Sequence, residues 1–161
     1  MKKFNIRYLA TGGQVAAGYV VLTFISSAFG LSSGAVQLRL SEALCALPCF
    51  VPASVPGLFV GCLIANLLTG ALPQDIIFGS LATLAGALGT RLLRKNYTIA
   101  LLAPVIANTL VVPPVLIHVY GVDMMPWLVY LTVFAGEALS VLVPGLLFKK
   151  RLTVFFDNRH W

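Results

Sequence analysis

Long apolar runs, broken by short clusters of Gly, Pro, Asn or charge, are the dominant pattern along the chain. The runs cover roughly 8 to 29, 34 to 50, 52 to 71, 75 to 94, 97 to 119 and 125 to 148. Their breaks are Gly30 to Gly34, Pro48 and Pro52, Pro73, Asn96, and Gly121 to Pro126. A bilayer core takes about 20 apolar residues per helix, so the pattern predicts six transmembrane helices. The second run is the shortest, and it continues uncharged through Pro48, Pro52 and Pro56. A five-helix alternative merges it with the third.

Composition narrows the class. The 161 residues are 59% hydrophobic and 10% charged, with a mean hydropathy of +0.95. These values lie outside the soluble range, and the chain has no room for a separate soluble domain. The expectation is one all-α integral membrane domain over 1–161. A secretory signal is the other reading of Lys2, Lys3 and Arg7 followed by an apolar stretch. That run continues uncharged to Val36, long enough to span, so it is expected as the first helix.

Charge orients the helices. With six spans and a cytoplasmic N-terminus, Lys2, Lys3, Arg7, Arg91, Arg94, Lys95, Lys149, Lys150, Arg151 and Arg159 all face the cytoplasm, ten of the eleven basic residues. Asp75 and Asp123 face outward. Merging two spans would put basic clusters on opposite sides, against the positive-inside rule. Both termini are therefore expected in the cytoplasm. Because the net charge of +6 sits at the ends of apolar runs, a nucleic-acid partner is disfavoured.

Two helices carry small-residue faces. Gly79, Ala82, Thr83, Gly86 and Gly89 recur at helical spacing in the fourth run, a face for close internal packing. Gly12, Gly13, Ala16 and Ala17 form two overlapping small pairs in the first, read either as internal packing or as docking to a partner subunit. Cys45, Cys49 and Cys62 have no second Cys/His cluster to complete a metal site; they read as small buried apolar residues, Cys45 and Cys49 sharing a helix face.

The polar residues inside the runs are the candidate binding site. Counted at about 1.5 Å per residue, Gln37, Arg39, Glu42, Asn66, Asn108, His118 and Glu137 fall between the middle and the outer ends of four spans. A charge at the bilayer centre costs about 2.5–3.5 kcal/mol on insertion scales, so Glu42 and Glu137 face protein, water or a ligand. Arg39 and Glu42 are three residues apart and read as an ion pair on one helix face or as ligand contacts. Two amides beside carboxylates suit a planar, hydrogen-bond-rich, cationic small molecule, although each amide also fits helix-to-helix bonding. Pro113 and Pro114 are expected to interrupt the fifth helix beside a cavity, and "GLSSG" at 30–34 is flexible enough for a lid. No phosphate loop or nucleophile motif occurs, and there is no inverted pair of three-helix halves. Binding, with energy supplied by a partner, is the expected activity, without enzyme chemistry or a cofactor.

"VQLRLSEALCALP", "GLFVGCLIANLLTG", "DIIFGSLATLAGALGTRLL", "APVIANTLVV" and "AGEALSVLVPG" together resemble the queuosine-precursor transporter (QueT) family, over residues 8 to 148. These are substrate-binding S components of energy-coupling-factor (ECF) transporters in the bacterial cell membrane. The resemblance implies a six-helix S-component bundle that captures a 7-deazaguanine such as the 7-aminomethyl form. Uptake would use a transmembrane coupling subunit and two ATPase subunits. An Ala-x-x-x-Ala docking pair in the family corresponds to Gly13 and Ala17, and Gly at the first position departs from the pattern. An S component for another nucleobase or vitamin, and a structural membrane subunit, are the alternatives.

Overall fold

The computed structural model describes residues 6–31 and 38–157. Gln37 and most of the expected lid lie outside them. Among the described residues there are six helices: α1 (Ile6–Ala28), a 3-10 helix η1 (Leu40–Cys49), α2 (Ser54–Leu68), α3 (Pro73–Leu92), α4 (Tyr97–His118) and α5 (Pro126–Asp157). Three are long and apolar enough to cross a membrane: α1, α4 and α5. At 32 residues α5 is about 48 Å long, and it carries Lys149, Lys150 and Arg151 beyond its apolar stretch.

The second element differs from the expectation. In place of a spanning helix over 34–50, the chain forms a ten-residue 3-10 helix from Leu40, about 20 Å long at 2.0 Å per residue. Pro48 explains part of this, since it has no N–H for an α-helical bond within this segment. In a 3-10 helix, residues three apart eclipse. Glu42 therefore stands over Cys45, whereas Cys45 and Cys49 do not share a face: Cys45 is fully buried and Cys49 half-buried.

Arrangement follows from that short element. The five α-helices pack in chain order, α1 on α2, α2 on α3, α3 on α4 and α4 on α5, and η1 touches all five. Among the described residues α1 and α5 make no contact with each other; η1 bridges them. Leu40 N–H donates to Ser26 Oγ of α1 at 2.9 Å, and Arg39 N–H to Ser140 Oγ of α5 at 3.1 Å. Two serines from separate helices thus take up N–H groups that the start of a helix leaves without internal partners.

Small residues set the helix spacing. A Cβ on Gly86 of α3 would lie 2.6 Å from Pro104 Cα of α4, and one on Gly89 would lie 2.7 Å from Ala103 Cβ. The α3 face is internal, as its spacing predicts. A Cβ on Gly57 of α2 would meet Gly12 O of α1 at 2.6 Å, and one on Gly61 would meet Tyr19 Cβ at 2.8 Å. Gly12 and Ala16 therefore pack inside the chain, while Gly13 and Ala17 are exposed. The expected break at Pro113 and Pro114 is absent: α4 runs through both to His118, with Pro113 fully buried against its neighbours. Packing on adjacent helices compensates the bonds that proline removes.

Gly86→Ala should lower the unfolding midpoint in detergent, since overpacking against backbone costs about 1–3 kcal/mol. Gly13→Ala, whose Cβ meets nothing within 4 Å, should leave it unchanged or slightly raised. Equal midpoints for the two variants would refute this packing.

Candidate functional site

Glu42 is the central side chain. It is 1% exposed, on an element enclosed by all five helices. Tyr19 of α1 donates its hydroxyl to Glu42 Oε1, and Cys45 Sγ donates to Oε2 at 3.1 Å. Both oxygens are thus engaged by Tyr19 and Cys45 rather than by Arg39. Tyr19 is itself buried, and was not among the residues expected from sequence. A tyrosine in an apolar helix carries no mark that its hydroxyl meets an acid 23 positions away.

Glu137 stands on α5 across from Glu42 and within its electrostatic reach, with the Asn108 amide of α4 beside it. Glu137 is 8% exposed. Among the described residues, Glu137 Oε2 has no hydrogen-bond partner, and nor does Ser41 Oγ. A buried polar atom left unpaired costs about 1–3 kcal/mol, so the Oε2 position is where a donor would be most strongly held.

A cavity of about 390 Å³ opens at the end of the bundle away from the basic clusters. It is lined by Thr23 and Ser27 of α1, Arg39, the end of α2 with Asn66, Thr69, Gly70 and Ala71, then Asp75, Leu116, Tyr120 and Val122. Arg39 lies within electrostatic reach of both Asp75 and Glu137. It therefore relates the cavity to the buried acids. Asn66 lines the cavity and donates to Cys62 Sγ at 3.6 Å, which also accepts from Thr83 Oγ1 at 3.3 Å.

Asp75 and Tyr120 are cavity residues that the sequence reading left aside. Tyr120 donates to Asp75 Oδ2 at 3.0 Å and accepts from Leu72 N–H at 3.2 Å. Partial burial pushes the Tyr120 phenol up from its ordinary pKa; the Asp75 carboxylate adds to this, while the Leu72 bond opposes it. The proline that starts α3 gives the local signal, since it places Asp75 in the first turn. Its partner across 45 positions has no such signal. His118 is exposed at the end of α4 and lines no part of this cavity. Gln37 lies outside the described residues. Among those described, no group of three His, Cys, Asp or Glu is placed to hold a metal ion.

At the other end, Tyr8, Leu9, Gly12, Gly13, Ala16, Pro56, Gly57 and Val60 enclose an apolar groove of about 170 Å³ between α1 and α2. Gly13 forms its open side, while Gly12 and Ala16 form the floor against α2.

Apolar helices enclosing two buried acids and two buried amides, with a polar cavity at one end, define a multi-pass membrane protein. The chain belongs to the QueT transporter family, whose model matches residues 9–153. It is 36% identical over 84 residues to a protein of Lactococcus lactis subsp. cremoris (strain MG1363) named Queuosine precursor transporter QueT. That similarity covers 52% of this chain and 49% of the relative, so the chain spans about half the relative's length. No solved structure matches. Family and relative are named as transporters rather than enzymes, and the chain is a multi-pass protein of the bacterial cell membrane.

Tyr19→Phe should lower stability by about 1–3 kcal/mol, because it leaves Glu42 Oε1 buried without its donor. Adding Glu42→Gln should recover part of that loss. Strictly additive melting shifts in the double-mutant cycle would show that the pair does not interact.

Proposed function

We propose that this chain is the substrate-binding S component of an ECF-type transporter. It captures a 7-deazaguanine queuosine precursor, such as the 7-aminomethyl form, for uptake powered by partner subunits. Family membership supports the transport role, and the relative's name supports the substrate class. The observation that carries the site is the Glu137 Oε2 atom, buried and without a partner among the described residues. A carboxyl oxygen in that state accepts from a ligand N–H, and an ammonium group placed there would favour its ionised form and a charge-assisted bond. An aminopyrimidinone edge or an aminomethyl cation supplies such donors.

Asn108 beside Glu137 offers both a donor and an acceptor, and Asn66 and Arg39 meet the ligand at the cavity. Glu42 acts by fixing η1 rather than by touching the ligand, because its own oxygens are engaged by Tyr19 and Cys45. His118, exposed at the end of α4, is assigned to the approach from the outer side. Both termini cytoplasmic fit the up-and-down order of the helices, with the short η1 returning the chain from the Ser26 end of α1 to the Arg91 end of α3, and the concentration of basic residues at one end. Gly13, at the rim of the apolar groove, and Ala17, exposed one turn further along α1, would dock the transmembrane coupling subunit, which in turn joins two ATPase subunits. Gly12 and Ala16 support that face from within by keeping α1 close to α2.

Calorimetry with 7-aminomethyl-7-deazaguanine tests the site. Glu137→Gln should weaken binding at least tenfold while the variant melts like wild type, since a charge-assisted bond is about twice as strong as a neutral one. Wild-type affinity in that variant would remove Glu137 from the site. Binding of another nucleobase or vitamin in preference would redirect the substrate, and no binding in a ligand panel would favour a structural subunit.

Gly13→Leu should leave ligand affinity unchanged and abolish uptake, because a large side chain on a close-approach face blocks the partner helix. Normal co-purification with the coupling subunit would count against docking there.

A further inference from the structure

A second polar cavity, of about 410 Å³, lies at the basic end of the bundle, far from the acids just described. Arg94, Lys95, Asn96 and Tyr97 at the α3–α4 turn form one side, Lys149 and Thr153 of α5 the other, and Cys49 and Phe50 the floor. We propose that this cavity binds a phosphate group, that of an anionic glycerophospholipid headgroup at the membrane surface.

Three cations open into one cavity, and among the described residues no carboxylate lines it. Like charges held this close repel one another, and a dianionic or monoanionic phosphate offsets the repulsion while accepting hydrogen bonds from each of them. Glu42 and Glu137 are buried inside the bundle and Asp75 lines the cavity at the opposite end, while Asp157 is the last residue of α5.

The walls are held in place independently of any ligand. Tyr97 donates its hydroxyl to Gly145 O at 2.8 Å, tying α4 to α5. Phe50 stacks on Phe156 with ring centroids 5.3 Å apart, and tilts against Tyr97 at 5.8 Å. Lys149 Nζ rests 5.4 Å from the Tyr97 ring centroid. Arg91, the next cation along α3, is already engaged, donating to Pro48 O at 3.2 Å and Cys49 O at 3.4 Å. It therefore braces the floor and leaves the cavity to Arg94, Lys95 and Lys149.

A lipid source is favoured over free phosphate by what borders the cavity. Leu146, Leu147 and Phe148 on α5, Leu92 and Leu93 on α3, and Ile99 on α4 are exposed apolar side chains. They offer a surface for acyl chains directly beside a pocket for the headgroup. Basic pockets between helices at the cytoplasmic side have the chemistry for anionic lipid heads.

Native mass spectrometry of delipidated full-length protein, with phosphatidylglycerol or phosphatidylcholine added back, tests the assignment. Wild type should retain phosphatidylglycerol at least tenfold over phosphatidylcholine. Arg94→Gln combined with Lys149→Gln should lose that preference, and Lys149→Arg should keep it. Lys150→Gln, which removes a neighbouring charge that does not line the cavity, should also keep it. Melting curves verify that each variant is folded; if the double variant does not fold, Lys149→Gln alone is used, with a reduced preference expected. Unchanged preference in a folded Lys149→Gln variant, or an equal loss in Lys150→Gln, would overturn the pocket. Displacement of the lipid by millimolar inorganic phosphate would overturn the lipid assignment in favour of a free anion.

Discussion

A carboxylate in the middle of a membrane bundle must be held by its neighbours, and here Glu42 is held by Tyr19 and Cys45. The rest of the structure is arranged so that this can happen. Tyr19 reaches Glu42 because α1 lies close to the bundle, and α1 lies close because Gly57 and Gly61 of α2 leave no Cβ in the way. Cys45 reaches it because the segment is a 3-10 helix, which aligns residues three apart. Ser26 and Ser140 then satisfy the start of that helix from two sides. With η1 so fixed, α1 and α5 need not touch for the fold to close.

The same placement separates the two acids into different chemical states. Glu42 has its oxygens engaged, while Glu137 keeps Oε2 unpartnered among the described residues. Two carboxyls of one type, both buried, thus differ in their surroundings: one is tied to α1 and to its own helix, and the other keeps an acceptor open, which is the atom the proposed ligand contact uses.

Charge is sorted along the bundle as well as across it. The cavity with Arg39, Asp75 and Tyr120 occupies one end, and the pocket with Arg94, Lys95 and Lys149 the other. The apolar groove lies at that basic end too, along the small residues of α1, where Gly12 and Gly13 are adjacent in sequence yet face different surroundings. A helix turns by about 100° per residue, so neighbours in a small-residue pair divide naturally between the interior and the surface.

Much of this was legible in the chain itself. Hydropathy determined the membrane class and the positions of five of the six helices to within a few residues, except that α5 runs on past 148 to Asp157, and the Gly spacing in α3 determined a close internal contact. The cost of burying charge singled out Glu42 and Glu137. These are properties of composition and of short-range spacing, which a linear pattern carries in full. The tertiary structure alone decided that the second element is a short 3-10 helix, that α4 passes unbroken through Pro113 and Pro114, and that Asp75 and Tyr120 join the cavity. It also decided that Tyr19, and not Arg39, is the partner of Glu42, so the charge pair suggested by "RLSE" does not form. Those outcomes depend on contacts between residues 23, 45 and 101 positions apart, where the identity of a side chain does not reveal which helix it will face.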